Sequence, residues 1–205
     1  MSHHTPFPNQ TFNSHSVGSY LSDYAASLAH VFATLDTGAL EQIKTAVQQA
    51  STKGRRVYAI GNGGSAAIAD HLSCDLTKGC NHSGHPPIRV HPLASSLSLY
   101  TALANDCGFD KVFSTQLAYY ADPGDVLIAI SSSGESANIL AAVDAAKARD
   151  VLTIGIAGFA GGQLVRAADI GLHLDAMNYG VVEDATQSVM HILAQVIAAE
   201  RRGPG

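Results

Sequence analysis

The sequence predicts an α/β fold, a doubly wound five-stranded parallel sheet with helices on both faces, preceded by two N-terminal helices. Three observations carry this. Five short runs, "RRVYAIG", "PIRVHPL", "DVLIAIS", "LTIGIAG" and "IGLHL", are nearly uniformly apolar, as strands buried on both faces by crossover helices are. Segments of helical apolar spacing separate them. Two of the runs end in turns of small residues that open a helix, at the carboxyl end of the sheet where doubly wound folds gather a ligand. The expected strand order is flavodoxin-like.

Residues 1–15 read as a polar extension, disordered or extended. From Ser16 to Ala50 the apolar residues recur with helical period, broken near Asp36 to Gly38, which predicts two antiparallel helices within residues 16–52. The α/β core and a long final helix fill residues 53–201. Within it, a helix starts near Ser65, helices cover "SLSLYTALANDCGFDKVFSTQLAYYA", another starts at Ser136, and a short one follows "LTIGIAG". The terminal "RRGPG" reads as a frayed tail. No composition break divides the 205 residues, so one domain is expected.

Apolar residues make up 46% of the chain and charged residues only 14%, which implies a large core and buried subunit surface. Twelve Lys and Arg against seventeen Asp and Glu leave a net charge of -5. That excludes the polybasic face a nucleic-acid binder needs. The N-terminal stretch lacks an apolar signal core, and no later stretch is long enough to span a membrane. Cys74, Cys80 and Cys107 are odd in number and without metal-type spacing, so reduced thiols in a cytoplasmic protein are expected.

The turn after the first strand, "GNGGSA", places Gly61, Gly63 and Ala66 in the pattern of a dinucleotide-binding turn. Such a site also wants an acid about 20 residues on, for the ribose hydroxyls. The stretch from Gly79 to His91 contains none. No nucleotide cofactor is therefore expected. The turn after the third strand, "SSSGES", gathers Ser131, Ser132, Ser133 and Ser136 before a helix. Short hydroxyls and helix N-terminal amides converge well on the oxygens of a phosphate monoester, and Ser65 can join them. The alternative is that these serines only cap a helix. Just beyond the first turn, His71 and Asp75 stand at i and i+4 on one helix face, so both can look into the same cleft.

The pair "GNGGSA" and "ISSSGES" resembles the sugar isomerase (SIS) domain, and within it the phosphoheptose isomerases. The likeness extends to "AIGNGGSAA", "TALANDCGFDKVFSTQL", "PGDVLIAISSSGES", "LTIGIAG" and the "HILAQ" of the last helix. It implies an enzyme that interconverts sedoheptulose 7-phosphate and an aldoheptose 7-phosphate through an enediol, for surface polysaccharide; the alternative is a non-catalytic SIS module that binds a phosphosugar or a protein partner. By resemblance, Ser65, Ser131, Ser133 and Ser136 bind the phosphate and Asn62 the sugar, with Gly63, Gly64 and Ser132 in the same turns. The resemblance also implies a divalent metal, zinc first, at His71, Asp75, Glu183 and His191. It makes the carboxylate at position 75 the base and His191 the acid, with Glu183 as a fourth ligand or a free base. It implies a homotetramer as well.

The chain departs from the family pattern at several of these places. Asp75 stands for a glutamate and Glu183 for a glutamine. Ser96 aligns with a sugar-facing aspartate, Gly79, next to Lys78, with an arginine, and "NYGVVED" replaces the usual lead-in to the last helix. A metal-free hydrogen-bonded cluster is the alternative to the metal site.

Overall fold

The computed structural model describes residues 12–13 and 16–203. Two helices enter the fold, α1 (Val17–Thr34) and α2 (Thr37–Thr52). Ser16 caps the first through Ser19 N, and Asp36 caps the second through Ala39 N. The break between them is narrower than the sequence predicts: Gly38 already lies in the first turn of α2. Phe12, in the extension expected to be disordered or extended, packs edge-on against Tyr20 with ring centroids 5.1 Å apart. The remainder of residues 1–11 and 14–15 lies outside the described residues.

Five parallel strands follow: β1 (Arg56–Ile60), β2 (Arg89–Pro92), β3 (Val126–Ile130), β4 (Leu152–Ala157) and β5 (Ile170–His173). Their order is β2-β1-β3-β4-β5, all pairs parallel, as the flavodoxin-like expectation has it. Between them run α3 (Gly64–Cys74), α4 (Leu97–Cys107), α5 (Val112–Tyr120), α6 (Ala137–Lys147) and α7 (Gly162–Ala167), and α8 (Tyr179–Arg202) closes the fold.

Alternation along the central strands sends side chains into two cores. Val57 and Ala59 of β1, with Val126, Ile128 and Ile130 of β3, pack under α2, α3 and α8. Tyr58 and Ile60, with Leu127 and Ala129, pack under α5 and α6. This two-sided burial is why the central strands read as continuous apolar runs. The edge strands depart from it: Arg89 and His91 of β2 and His173 of β5 are exposed, because an edge strand needs covering on fewer sides.

The C-terminus departs from the expected frayed tail. Arg201 is buried in the last turn of α8, where it donates to the Cys80 carbonyl at 2.8 Å and to Ser51 Oγ at 2.9 Å. An arginine is buried only when its donors are satisfied, and here they tie the last helix to α2 and to the segment before β2. Residues 204–205 lie outside the described residues.

Candidate active site

The carboxyl ends of β1 and β3 are neighbours in the sheet, so the turns leaving them meet. They enclose a cavity of about 140 Å³ lined by Asn62, Ser65, Ser131, Ser132, Ser133 and Ser136, with Ile130, Tyr179 and Glu183. Gly63 and Gly64, expected in the same site, are the N-cap and first residue of α3 and are not among the residues lining the cavity. Gly134 completes the second turn with φ +69°, and a β-carbon there would meet the carbonyl of Gly161. A glycine is required on both counts.

Among the described residues, three helices carry a side-chain N-cap and the other five, α3 to α7, do not. Helices α1, α2 and α8 begin with a side-chain cap from Ser16, Asp36 and Asn178. Helices α3 and α6 have none: Gly63 has no side chain, and the Ser136 hydroxyl turns to Ser131 Oγ at 3.2 Å. The serines are therefore not helix caps. They leave first-turn N–H groups of both helices without a side-chain acceptor at the cavity, the arrangement that binds an oxyanion. Ser131 Oγ accepts from Gly134 N at 3.2 Å, and Ser133 Oγ accepts from Glu135 N at 3.3 Å, which fixes the hydroxyls in place.

Asn62 has a partner the sequence did not disclose. Its amide and that of buried Asn138, in the first turn of α6, exchange hydrogen bonds at 2.9 and 2.8 Å. The reciprocal pair binds the two turns together and leaves Asn62 one N–H and one lone pair for a ligand. Glu135 similarly ties the serine turn to α7, accepting from Gln163 N at 2.9 Å and Gln163 Nε2 at 2.7 Å. Tyr179 is a further lining residue, unpredicted because its place depends on how α8 crosses the sheet.

The second part of the site is a charged cluster. His71 near the end of α3, His191 on α8, and Asp75 offer ligand atoms all within 4.8 Å of one another. Asp75 opens a π-helical turn, Asp75–Gly79, that continues α3; such a turn re-aims side chains and recurs at functional sites. Asp75 Oδ2 lies 2.7 Å from His191 Nδ1, and Oδ1 lies 3.5 Å from His71 Nε2. Gln187, one turn before His191, places its Nε2 3.0 Å from His191 Nε2. His191 thus stands between the Gln187 amide on Nε2 and the Asp75 carboxylate on Nδ1. Two imidazoles and one carboxylate make an ordinary zinc ligand set. The cluster borders a cavity of about 150 Å³ that Gly79, Ala194 and Gln195 also line.

Glu183 is not part of that cluster, so of the four positions the resemblance implies for a metal the structure brings three together. Eight residues separate Glu183 from His191, about 12 Å along α8 at 1.5 Å per residue, and the Glu183 carboxylate instead packs on Gly64 at the start of α3. A β-carbon at Gly64 would collide with it. Burial, with Asp184 alongside, pushes the Glu183 carboxyl above its ordinary value. Ser96 also stands elsewhere: it lines a cavity of about 550 Å³ beside β2, with Tyr58, His91 and Gln116, and is not among the residues around the serines. Thr186 is structural, its hydroxyl donating to the Val182 carbonyl at 2.7 Å.

The chain is similar to proteins of known family. The chain is 37% identical to the phosphoheptose isomerase of Rhodospirillum rubrum over 144 residues, 70% of this chain and 76% of that protein. It is 36% identical to that of Campylobacter concisus over 166 residues, 81% and 87% of the two chains. The solved phosphoheptose isomerase of Francisella tularensis superposes with a TM-score of 0.80 at 28% identity, covering 88% of this chain and 95% of that one. Residues 19–158, which hold the serine turns, His71 and Asp75, match the SIS domain. The chain belongs to the SIS domain family.

Proposed function

We infer that the protein is a phosphosugar aldose-ketose isomerase, converting sedoheptulose 7-phosphate to an aldoheptose 7-phosphate in heptose biosynthesis for surface polysaccharide. The observation that carries this is the pairing of two sites along one helix: a serine-lined cavity for the phosphate, bordered by Glu183, and an acid-base cluster at His191 about 12 Å further along α8 at 1.5 Å per residue. That separation matches the reach of an extended seven-carbon phosphate, about 10 Å for eight single bonds near 1.5 Å.

Isomerisation through an enediol needs a base at the carbon, an acid at the neighbouring oxygen, and stabilisation of the enediolate. Asp75 and His191, in hydrogen-bond contact at 2.7 Å, supply the carboxylate and the imidazole. Gln187 keeps the ring oriented. His71, Asp75 and His191 would hold a divalent ion, and such an ion supplies a Lewis acid for the sugar oxygens. A binding module has no use for this cluster, which favours catalysis over the non-catalytic alternative.

The apolar side chains Val17, Leu21 and Phe32 stand exposed on α1, where Val31 is the buried residue. They support a homotetramer with α1 at a subunit interface. The free thiols of Cys74, Cys80 and Cys107 support a cytoplasmic setting. The test is a screen of six- and seven-carbon ketose phosphates with separation of the isomers. Turnover of the seven-carbon substrate is expected; binding of these ketoses without turnover of any would refute the isomerase.

A further inference from the structure

The serine cavity is closed at one end by a residue of this chain's own lead-in to α8. Tyr179, the first residue of that helix, lines the cavity together with the serines. Along the helix axis it stands about 6 Å before Glu183 and about 18 Å before His191, at 1.5 Å per residue. A sugar phosphate laid from the His71–Asp75–His191 cluster into the serines therefore passes Glu183 first and meets Tyr179 last.

The ring is held where it stands. It packs on Phe159 with centroids 4.8 Å apart at 59°, within the range of a favourable aromatic pair. Phe159 itself adopts φ +51°, a conformation that a bulky residue keeps only where its surroundings impose it and that gathers around ligand sites. Here they impose it: the Phe159 N–H donates to the Ala176 carbonyl at 2.9 Å, and its carbonyl accepts from His173 Nε2 at 2.8 Å. The first turn of α8 is fixed as well. Asn178 Oδ1 accepts from Val181 N at 3.2 Å, and Val182 packs so closely on Gly158 that a β-carbon there would collide with it.

We propose that Tyr179, braced by Phe159, is the end-stop of the phosphate cavity and selects a terminal phosphate monoester over a phosphate that carries a further substituent. The volume of about 140 Å³ fits a single phosphoryl group, being well below the roughly 300 Å³ from which pockets hold a whole drug-sized ligand. A neighbouring subunit adds walls to this cavity and removes none. The ring makes the selection rather than the hydroxyl, because the ring is what Phe159 supports. This rests on the phosphosugar reading above and adds to it a rule on which esters enter: phosphodiesters and sugar diphosphates extend into the space that the ring fills.

The test is calorimetric titration with two ligands. Sorbitol 6-phosphate is a linear sugar phosphate with no carbonyl to isomerise, and its methyl phosphodiester adds one methyl group beyond the phosphate. The two differ in charge, so the readout is the ratio of their affinities, compared between proteins. One such group in a close-fitting pocket is worth about 10- to 200-fold, so Tyr179→Ala should shrink the wild type's preference for the monoester by about tenfold or more. Phe159→Ala should shrink it by less, and Tyr179→Phe, which keeps the ring, should keep the wild-type ratio. An unchanged ratio in either alanine variant, or a loss in Tyr179→Phe equal to that in Tyr179→Ala, overturns the proposal while phosphosugar binding stands. Failure of the wild type to bind sorbitol 6-phosphate overturns the phosphosugar reading along with it.

Discussion

The serine cavity and the His71–Asp75–His191 cluster are separated by two turns of α8, yet they are held in different ways. The cavity is made by backbone: adjacent parallel strands end together, and two helices start there without caps. Its hydroxyls are short, and Ser65, Ser131 and Ser132 are buried. The cluster is made by side chains that reach across from α3, the π-helical turn and α8, and its members are half-buried or exposed. On the function proposed above, the first region is an electrostatic seat that one substitution can only weaken, and the second a proton-transfer device in which a single atom decides the outcome.

The largest expected effect therefore lies in the cluster. Asp75→Asn keeps the shape and removes the carboxylate that His191 faces; kcat should fall about 10²- to 10⁴-fold, the usual share of general acid-base catalysis, with little change in binding of sorbitol 6-phosphate. A loss confined to KM would break the division of labour. In the cavity the order is reversed. Ser131→Ala removes one hydroxyl from an anion site, at about 1.5–3 kcal/mol for a hydrogen bond to a charged group, so KM should rise about 10- to 100-fold while kcat holds.

Asn62→Ala sharpens the comparison through stability. It leaves the buried Asn138 amide without its partner, which costs about 1–3 kcal/mol and should appear as a lower Tm. The smallest effect is expected at Gln187, the residue that orients His191. Gln187→Ala loses one neutral hydrogen bond, about 0.5–1.5 kcal/mol. It should lower kcat severalfold and alter the pH profile of kcat, with KM unchanged; a purely structural role would lower Tm and leave that profile alone.

How much of this was legible in the sequence follows the same divide. The strands, their order and the serine turns were readable because each signal is local: an apolar run, a cluster of small residues, a helical period. His71 and Asp75 were readable as a pair for the same reason, being four residues apart. That Glu183 stands apart from the His71–Asp75–His191 cluster was not legible, because alignment with a related position does not say which way a side chain on a long helix reaches; here it turns to Gly64. Ser96 was carried over by alignment too, and it borders the cavity beside β2. Asn138 gave no signal, since an asparagine in a helix's first turn ordinarily faces water. Arg201 looked like tail because its two acceptors are more than 100 residues away in sequence.

The central claim is that the cavity holds the phosphate while the cluster moves a proton between C1 and C2 of the same sugar. NMR of sedoheptulose 7-phosphate with the enzyme in D₂O tests it most directly. The account predicts an aldoheptose 7-phosphate carrying deuterium at C2, formed by wild type and nearly abolished in Asp75→Asn, with both proteins still binding sorbitol 6-phosphate. A ketose that stays bound and unchanged with the wild type, or an aldose formed equally fast by Asp75→Asn, would contradict it.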